Sequence, residues 1–186
     1  MRTRLLSNAL IRTFVVCTLS AGLVAAEAQS SSPSDPLAPV AQLLGRWTGT
    51  SEGQPGKGEV ERQYERVLGS RFIQVRNRST YPPQEKNSKG ETHEDIGFLS
   101  FDSGRKRLVF RQFHVEGFVN QYLLETGSTS DRLVWVSEAI ENIPAGFRAR
   151  ETYTFSGTDQ LEEIFELAEP GKDFELYSRS RLTRVR

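Results

Sequence analysis

From Arg46 to the C-terminus, apolar and polar residues follow one another in short extended runs with little helical periodicity. Ten such runs stand out: residues 46–51, 58–67, 71–80, 94–102, 107–115, 118–126, 132–137, 147–155, 160–167 and 174–183. Gly, Asn, Asp, Ser or Pro separates them, the pattern of a sandwich or barrel. The turn signals are specific: Leu68-Gly69-Ser70, Asp102-Ser103-Gly104, Glu116-Gly117 and Ser156-Gly157-Thr158-Asp159. Tyr81-Pro82-Pro83 ends one run, because proline cannot continue a central ladder. No internal repeat or second domain is visible. The pattern predicts an all-β fold, a single antiparallel up-and-down β-barrel of about ten strands over residues 37–186. A short helical turn over residues 36–44, stopped by Gly45, leads into it.

Alternation also predicts which side chains face inward. If Glu116-Gly117 is a two-residue turn, Phe113 lies opposite Asn120 and Arg111 opposite Tyr122. One face then holds Val109, Arg111, Phe113, Val115, Phe118, Asn120, Tyr122 and Leu124. Phe147, Ala149, Glu151, Tyr153 and Phe155 share another face, and Leu161, Glu163, Phe165 and Leu167 a third. An apolar face with a polar group in its middle suits a barrel interior that holds a ligand. The same charges can instead pair in a structural network, and a one-residue error in register would turn a whole face outward.

The N-terminus reads as an export leader. Met1-Arg2-Thr3-Arg4 carries early positive charge, an apolar stretch runs to Ala25, and Ala26-Glu27-Ala28 fits a small-x-small cleavage site. Residues 1–28 are therefore expected to be a signal peptide, and 29–36 a polar, Ser/Pro-rich, disordered linker. The expected location is periplasmic or secreted, with no stable membrane span after cleavage. Losing Arg2, Arg4, Arg12 and Glu27 turns 24 basic against 24 acidic residues into 21 against 23, a net charge of −2. That balance speaks against a nucleic-acid partner. Cys17 and Met1, the only residues of their types, leave with the leader. Disulfides, thiolate nucleophiles and cysteine or methionine ligation of a metal are thereby excluded. Two histidines, His93 and His114, cannot make a motif such as H-E-x-x-H.

Leu43-Leu44-Gly45-Arg46-Trp47-Thr48-Gly49, at the start of the strands, resembles the G-x-W motif of the calycin superfamily. That group includes lipocalins, fatty-acid-binding proteins and nitrobindin-like haem-binding barrels. The chain looks most like the nitrobindin-like branch, in a secreted bacterial form. The tryptophan there is expected to plug one barrel end. Nitrobindin-like proteins are expected to hold haem through a histidine on the last strand. Here that strand reads Phe174-Glu-Leu-Tyr-Ser-Arg-Ser-Arg-Leu-Thr-Arg184 and has no histidine, so the ligand does not carry over. Tyr177 is the remaining iron-ligand candidate on it. Resemblance to fatty-acid-binding proteins implies a carboxylate held by arginine and tyrosine. Tyr177, Arg179 and Arg181 alternate onto one face, and with Arg111 and Tyr122 they would form such a site. The opposite assignment puts Arg179 and Arg181 outside, and Leu176, Ser178, Ser180 and Leu182 inside.

Arg111, Asn120, Tyr122, Glu151, Glu163 and Tyr177 are the expected ligand-binding residues. Glu138, Glu141 and Asn142, in the polar connection 137–146, are candidates for its rim. Neighbours alternate faces on a strand, so His93-Glu94-Asp95 is not expected to converge, and His114 falls opposite the interior in this register. Both histidines read as surface or structural residues. No cofactor is expected from the residues themselves. The function expected is an exported barrel that binds a small apolar or amphipathic molecule, fatty-acid-like or haem. The alternatives are a barrel isomerase or hydrolase using Glu151 or His114 as acid or base, and a filled structural barrel without ligand.

Overall fold

Ten strands form where the alternating runs lie: β1 (Gly45–Gly53), β2 (Gly56–Val67), β3 (Phe72–Tyr81), β4 (Glu91–Asp102), β5 (Arg107–His114), β6 (Val119–Leu124), β7 (Arg132–Glu141), β8 (Arg148–Ser156), β9 (Gln160–Ala168) and β10 (Glu175–Arg184). The computed structural model describes residues 35–85 and 87–186. The leader expected at 1–28 and all but the end of the linker expected at 29–36 lie outside the described residues. Each strand pairs antiparallel with its neighbours in the chain, and β10 returns to pair with β1, so the barrel closes. Closure leaves no unpaired edge, the feature that makes an open sheet prone to association. β7 runs on past Ser137 to Glu141, because a bulge opposite Gln121 and Tyr122 absorbs Glu138 and lets pairing resume. The connection expected at 137–146 is correspondingly shorter.

A 3-10 helix, Ala38–Leu43, precedes β1 and lays Val40 and Leu43 into the core. Asp35 anchors its start, accepting from the Leu37 amide at 3.0 Å and pairing with Arg66. Trp47 is fully buried beneath it, with its indole N–H donating to the Leu43 carbonyl at 2.8 Å. The Arg184 guanidinium lies 4.1 Å from the Trp47 ring centroid and donates to the carbonyls of Gln42 and Leu44. The last strand thus fastens the helix over one end of the barrel, with the tryptophan as its plug. Gly49 completes the motif for a steric reason. A Cβ there would sit 1.9 Å from the Arg181 carbonyl oxygen on the adjacent β10.

Behind the plug the core is solid. Tyr64, Ile73, Leu99, Phe110, Trp135 and Tyr153 pack with the helix residues and Trp47 in one buried cluster. The same strands continue past this cluster to the opposite end, where the interior opens.

Gly49→Ala is expected to destabilise the fold by about 1–3 kcal/mol through overpacking, and Trp47→Ala by about 3–5 kcal/mol through loss of the plug. Urea denaturation checks both, as lower midpoints with an unchanged slope.

Candidate functional site

The open half encloses a cavity of about 430 Å³. This lies within the range of small-molecule sites, roughly 300–1,000 Å³. One wall is apolar: Phe118, Ile140, Ile143, Phe147, Phe165 and Leu167, from the segments around β6 to β9. The wall across the barrel, and the floor, are polar. Asn77 and Ser79 come from β3, His93 and Asp95 from β4, and Gln112 and His114 from β5.

The floor is an ion pair. Arg62 on β2 is buried and meets Glu163 on β9 through Nε at 3.2 Å and Nη2 at 3.1 Å. Its Nη1 donates to the carbonyls of Glu61 and Arg78 and to Ser79 Oγ, at 3.1, 3.3 and 3.2 Å. A buried guanidinium needs partners on each nitrogen, since unmet donors carry a desolvation cost. Burial works against its charge, but Glu163 and Asp95 hold the Arg62 pKa above the ordinary arginine value. The arginine is therefore fixed and charged, with each of its nitrogens engaged.

Two further carboxyls share the interior. Burial first, then the charge of Glu163, pushes Glu151 up to about 8, with Tyr153 donating its hydroxyl at 2.5 Å. Glu151 thus carries its proton at neutral pH. Burial raises Asp95 to about 6 against the pull of Arg62 and His93, and Asn77 Nδ2 donates to it at 2.9 Å. His114 is held down to about 4, by burial and then by His93, so its imidazole is neutral. Asn120 Nδ2 donates to the Tyr122 hydroxyl at 2.8 Å and lies 3.2 Å from His114 Nε2. Asn77 Oδ1, Gln112 Oε1 and Asn120 Oδ1 are buried without a hydrogen-bond partner.

Asn120, Tyr122, Glu151 and Glu163 stand inside, as alternation predicts, and Tyr177 lines the cavity. A bulge between Leu176 and Ser178 turns Tyr177 inward, edge-on to Phe165 at 5.4 Å. Arg111 requires correction. The β5–β6 turn has three residues, Val115-Glu116-Gly117, closed by His114 N to Phe118 O at 3.1 Å and Gly117 N to His114 O at 2.8 Å. Gly117, with φ +90°, supplies the left-handed residue that such a turn needs. The extra residue shifts pairing by one, so Gln112 opposes Asn120 and Phe110 opposes Tyr122. Arg111 consequently lies outside, donating to Gln121 Oε1 at 2.7 Å, and Phe113 is 50% exposed. His114 faces inward, against the expectation for it.

The arginine–tyrosine anion site does not assemble. Arg179 and Arg181 pair with Glu162, and Arg181 also with Glu52, on the outer face. Ser178, Ser180 and Leu182 do turn inward, while Leu176 is about half exposed. Of the rim candidates, Glu138 binds Arg105 at 2.9 Å, and Asn142 Nδ2 donates to the Gly117 carbonyl at 2.9 Å. Arg62, Asn77, Asp95 and Gln112 escaped the sequence reading. The runs Val60-Arg62-Tyr64 and Val75-Asn77-Ser79-Tyr81 carry the same signal that revealed Glu151, a polar residue within an inward face.

Haem can be tested against these residues. β10 presents Tyr177, Ser178 and Ser180 to the cavity, and no histidine. The imidazoles stand on β4 and β5, on the far side of the ring of strands from β10. Their four nitrogens face Glu116, each other and Asn120 along the wall, so none points freely at the cavity centre. Burial raises the Tyr177 pKa, which opposes the phenolate that ferric iron takes. Haem propionates would also meet an interior whose arginine is already engaged. The residues present do not fit haem.

The raised Glu151 gives a pH prediction. Its folded pKa lies above its ordinary value of 4.5, so its protonation stabilises the fold at low pH. That contribution is lost as pH rises toward about 8. Asp95 acts the same way below about 6, and His114 the opposite way below 6.5. Between pH 6.5 and 8, stability is therefore expected to fall by up to about 1.4 kcal/mol per pH unit. Chemical denaturation across this range should show the fall in the native chain and a flat profile in Glu151→Gln.

A family model described as THAP4-like, heme-binding beta-barrel domain matches residues 36–184. The crystal structure of Rv2717c from M. tuberculosis is similar in fold, with a TM-score of 0.62 and 18% identity. The likeness covers 83% of this chain and 99% of that one. A de novo designed fluorescence-activating beta barrel shows 16% identity and a TM-score of 0.37, over 76% of this chain and 93% of that one. None of the curated proteins compared with it matches. The G-x-W opening, the closed ring of ten strands and a match spanning the whole barrel agree: the chain belongs to the THAP4-like, heme-binding β-barrel domain family, with a nitrobindin-like calycin-type fold.

Proposed function

We propose that this chain is an exported barrel that binds one small molecule with an apolar body and a hydrogen-bond-donating head. The observation that carries this reading is the pairing of an apolar wall with buried acceptors that lack partners: Asn77 Oδ1, Gln112 Oε1 and Asn120 Oδ1. A buried polar atom without a partner costs about 1–3 kcal/mol, which a ligand N–H or O–H would offset. The apolar wall from Phe118 to Leu167 takes the rest of the molecule by burial, at about 25 cal/mol per Å². A fatty acid suits the floor poorly. Arg62 is engaged on every nitrogen, and a carboxylate would join Glu163 and Asp95 near it. An alcohol, amide or amine head suits the same groups, because they accept. Export rests on the leader pattern at residues 1–28.

N-phenyl-1-naphthylamine, an apolar body with one N–H, is the probe of choice. It is expected to bind one per chain by fluorescence titration, and at least tenfold more tightly than laurate. Ser178→Trp, which fills the cavity from β10, should weaken probe binding at least tenfold and leave the thermal midpoint within a few degrees. Equal affinity in Ser178→Trp would end the reading. Expression in a bacterium with intact secretion should yield a mature chain whose mass begins at Gln29. A full-length mass would remove the export proposal alone.

A further inference from the structure

The cavity wall holds three metal-ligating side chains in one place: His93, Asp95 and His114. We propose that they form a binding site for a divalent first-row transition metal ion, Zn²⁺ in type. The strand geometry builds it. His93 and Asp95 are two apart on β4, so they share the inward face, and His114 sits directly across from Asp95 on β5. His93 Nε2 lies 3.2 Å from His114 Nδ1 and 3.8 Å from Asp95 Oδ2, and all three ligand atoms fall within 4.8 Å of one another. Zinc bonds of about 2.0–2.2 Å in a tetrahedron set ligand atoms roughly 3.3 Å apart. One edge is already at that distance, and a small inward movement of Asp95 closes another.

Partners behind each ligand hold it in place, as metal sites require. His93 Nδ1 meets Glu116 Oε1 at 2.8 Å, which puts the ring proton on Nδ1 and leaves the Nε2 lone pair for the ion. Asn77 Nδ2 donates to Asp95 Oδ1 at 2.9 Å and leaves Oδ2 free. His114 Nε2 lies 3.2 Å from the Asn120 carboxamide. Half a turn of that amide offers its unpartnered oxygen to an Nε2–H and frees Nδ1 for the ion, leaving Asn77 Oδ1 and Gln112 Oε1 as the acceptors for a ligand head in the metal-loaded form. The Phe118 ring stacks on His114 at 4.1 Å and fixes its plane. Without a cation, two imidazole nitrogens face each other beside a buried carboxyl, an arrangement that a divalent ion resolves.

Two imidazoles and one carboxylate suit zinc or iron(II) better than calcium or magnesium, which prefer oxygen alone. All three ligands line the cavity, so the remaining coordination positions open toward it. The proposal does not depend on the apolar-ligand reading. It concerns three other side chains of the polar wall, while the apolar wall takes the body of the probe.

Zinc titration by calorimetry and visible spectra of the cobalt(II) form test it on the purified protein. One equivalent is expected per chain, with cobalt(II) ligand-field bands that zinc abolishes and a thermal midpoint that rises with zinc. His93→Ala, at the half-exposed rim, and Asp95→Asn, which keeps the shape and the Asn77 contact, should each weaken zinc at least tenfold while leaving the metal-free midpoint close to native. Glu116→Gln, acting only through His93, should weaken zinc by about tenfold. Zinc binding that is equally tight in His93→Ala and Asp95→Asn, or absent from the native chain, would overturn the site. Unchanged N-phenyl-1-naphthylamine binding in that event would show that the cavity reading survives.

Discussion

The interior depends on one ion pair. Arg62 and Glu163 come from β2 and β9, meet inside the barrel, and divide a packed half from an open one. Taking two charges out of water costs several kcal/mol per ion, and only close geometry with full hydrogen bonding offsets it. Arg62 meets that demand with Glu163, Ser79 and two carbonyls. The consequences spread outward. Burial and the Glu163 charge keep the proton on Glu151, Asp95 takes Asn77 and His93 as neighbours, and with the arginine engaged no interior cation among the described residues remains to receive an acid. The polarity of the cavity is therefore set from its floor.

Much of the fold was legible because alternation on a β-strand is a local signal. Ala149, Glu151 and Tyr153 declared an inward face from sequence alone, as did Leu161, Glu163 and Phe165. Trp47 announced a plug. What stayed hidden turns on the length of connections. Glu116-Gly117 is compatible with a two-residue or a three-residue turn, and the choice reverses every side chain of β5. Arg111 and Phe113 were lost from the interior, and Gln112 and His114 gained, by a single residue. The bulges at Tyr177 and Glu138 are of the same kind, set by cross-strand partners that lie far along the chain.

The histidines show how this error reached the chemistry. His93, Glu94 and Asp95 do alternate, as a strand requires, but the first and third share the inner face. Their convergence with His114 exists only across the β4–β5 ladder. A family resemblance did not supply it either, since the resemblance directed attention to a last strand that carries serines and Tyr177 instead of histidine. Membership in the family accounts for the architecture, while the chemistry of the lining is read from this chain's own residues.

The division of the barrel into a solid half and a hollow half has a consequence for how such a protein changes. Strands β2 to β10 cross both halves, so each contributes some side chains to structural integrity and others to selectivity, separated by a few positions. A substitution at Leu161 or Tyr153 is felt by the whole molecule, whereas one at Ile143 or Phe147 touches only the lining. The two tasks share a backbone yet are nearly independent in sequence space. A lineage can therefore exchange the molecule it carries by rewriting the mouth-side positions, and keep the same scaffold intact beneath them.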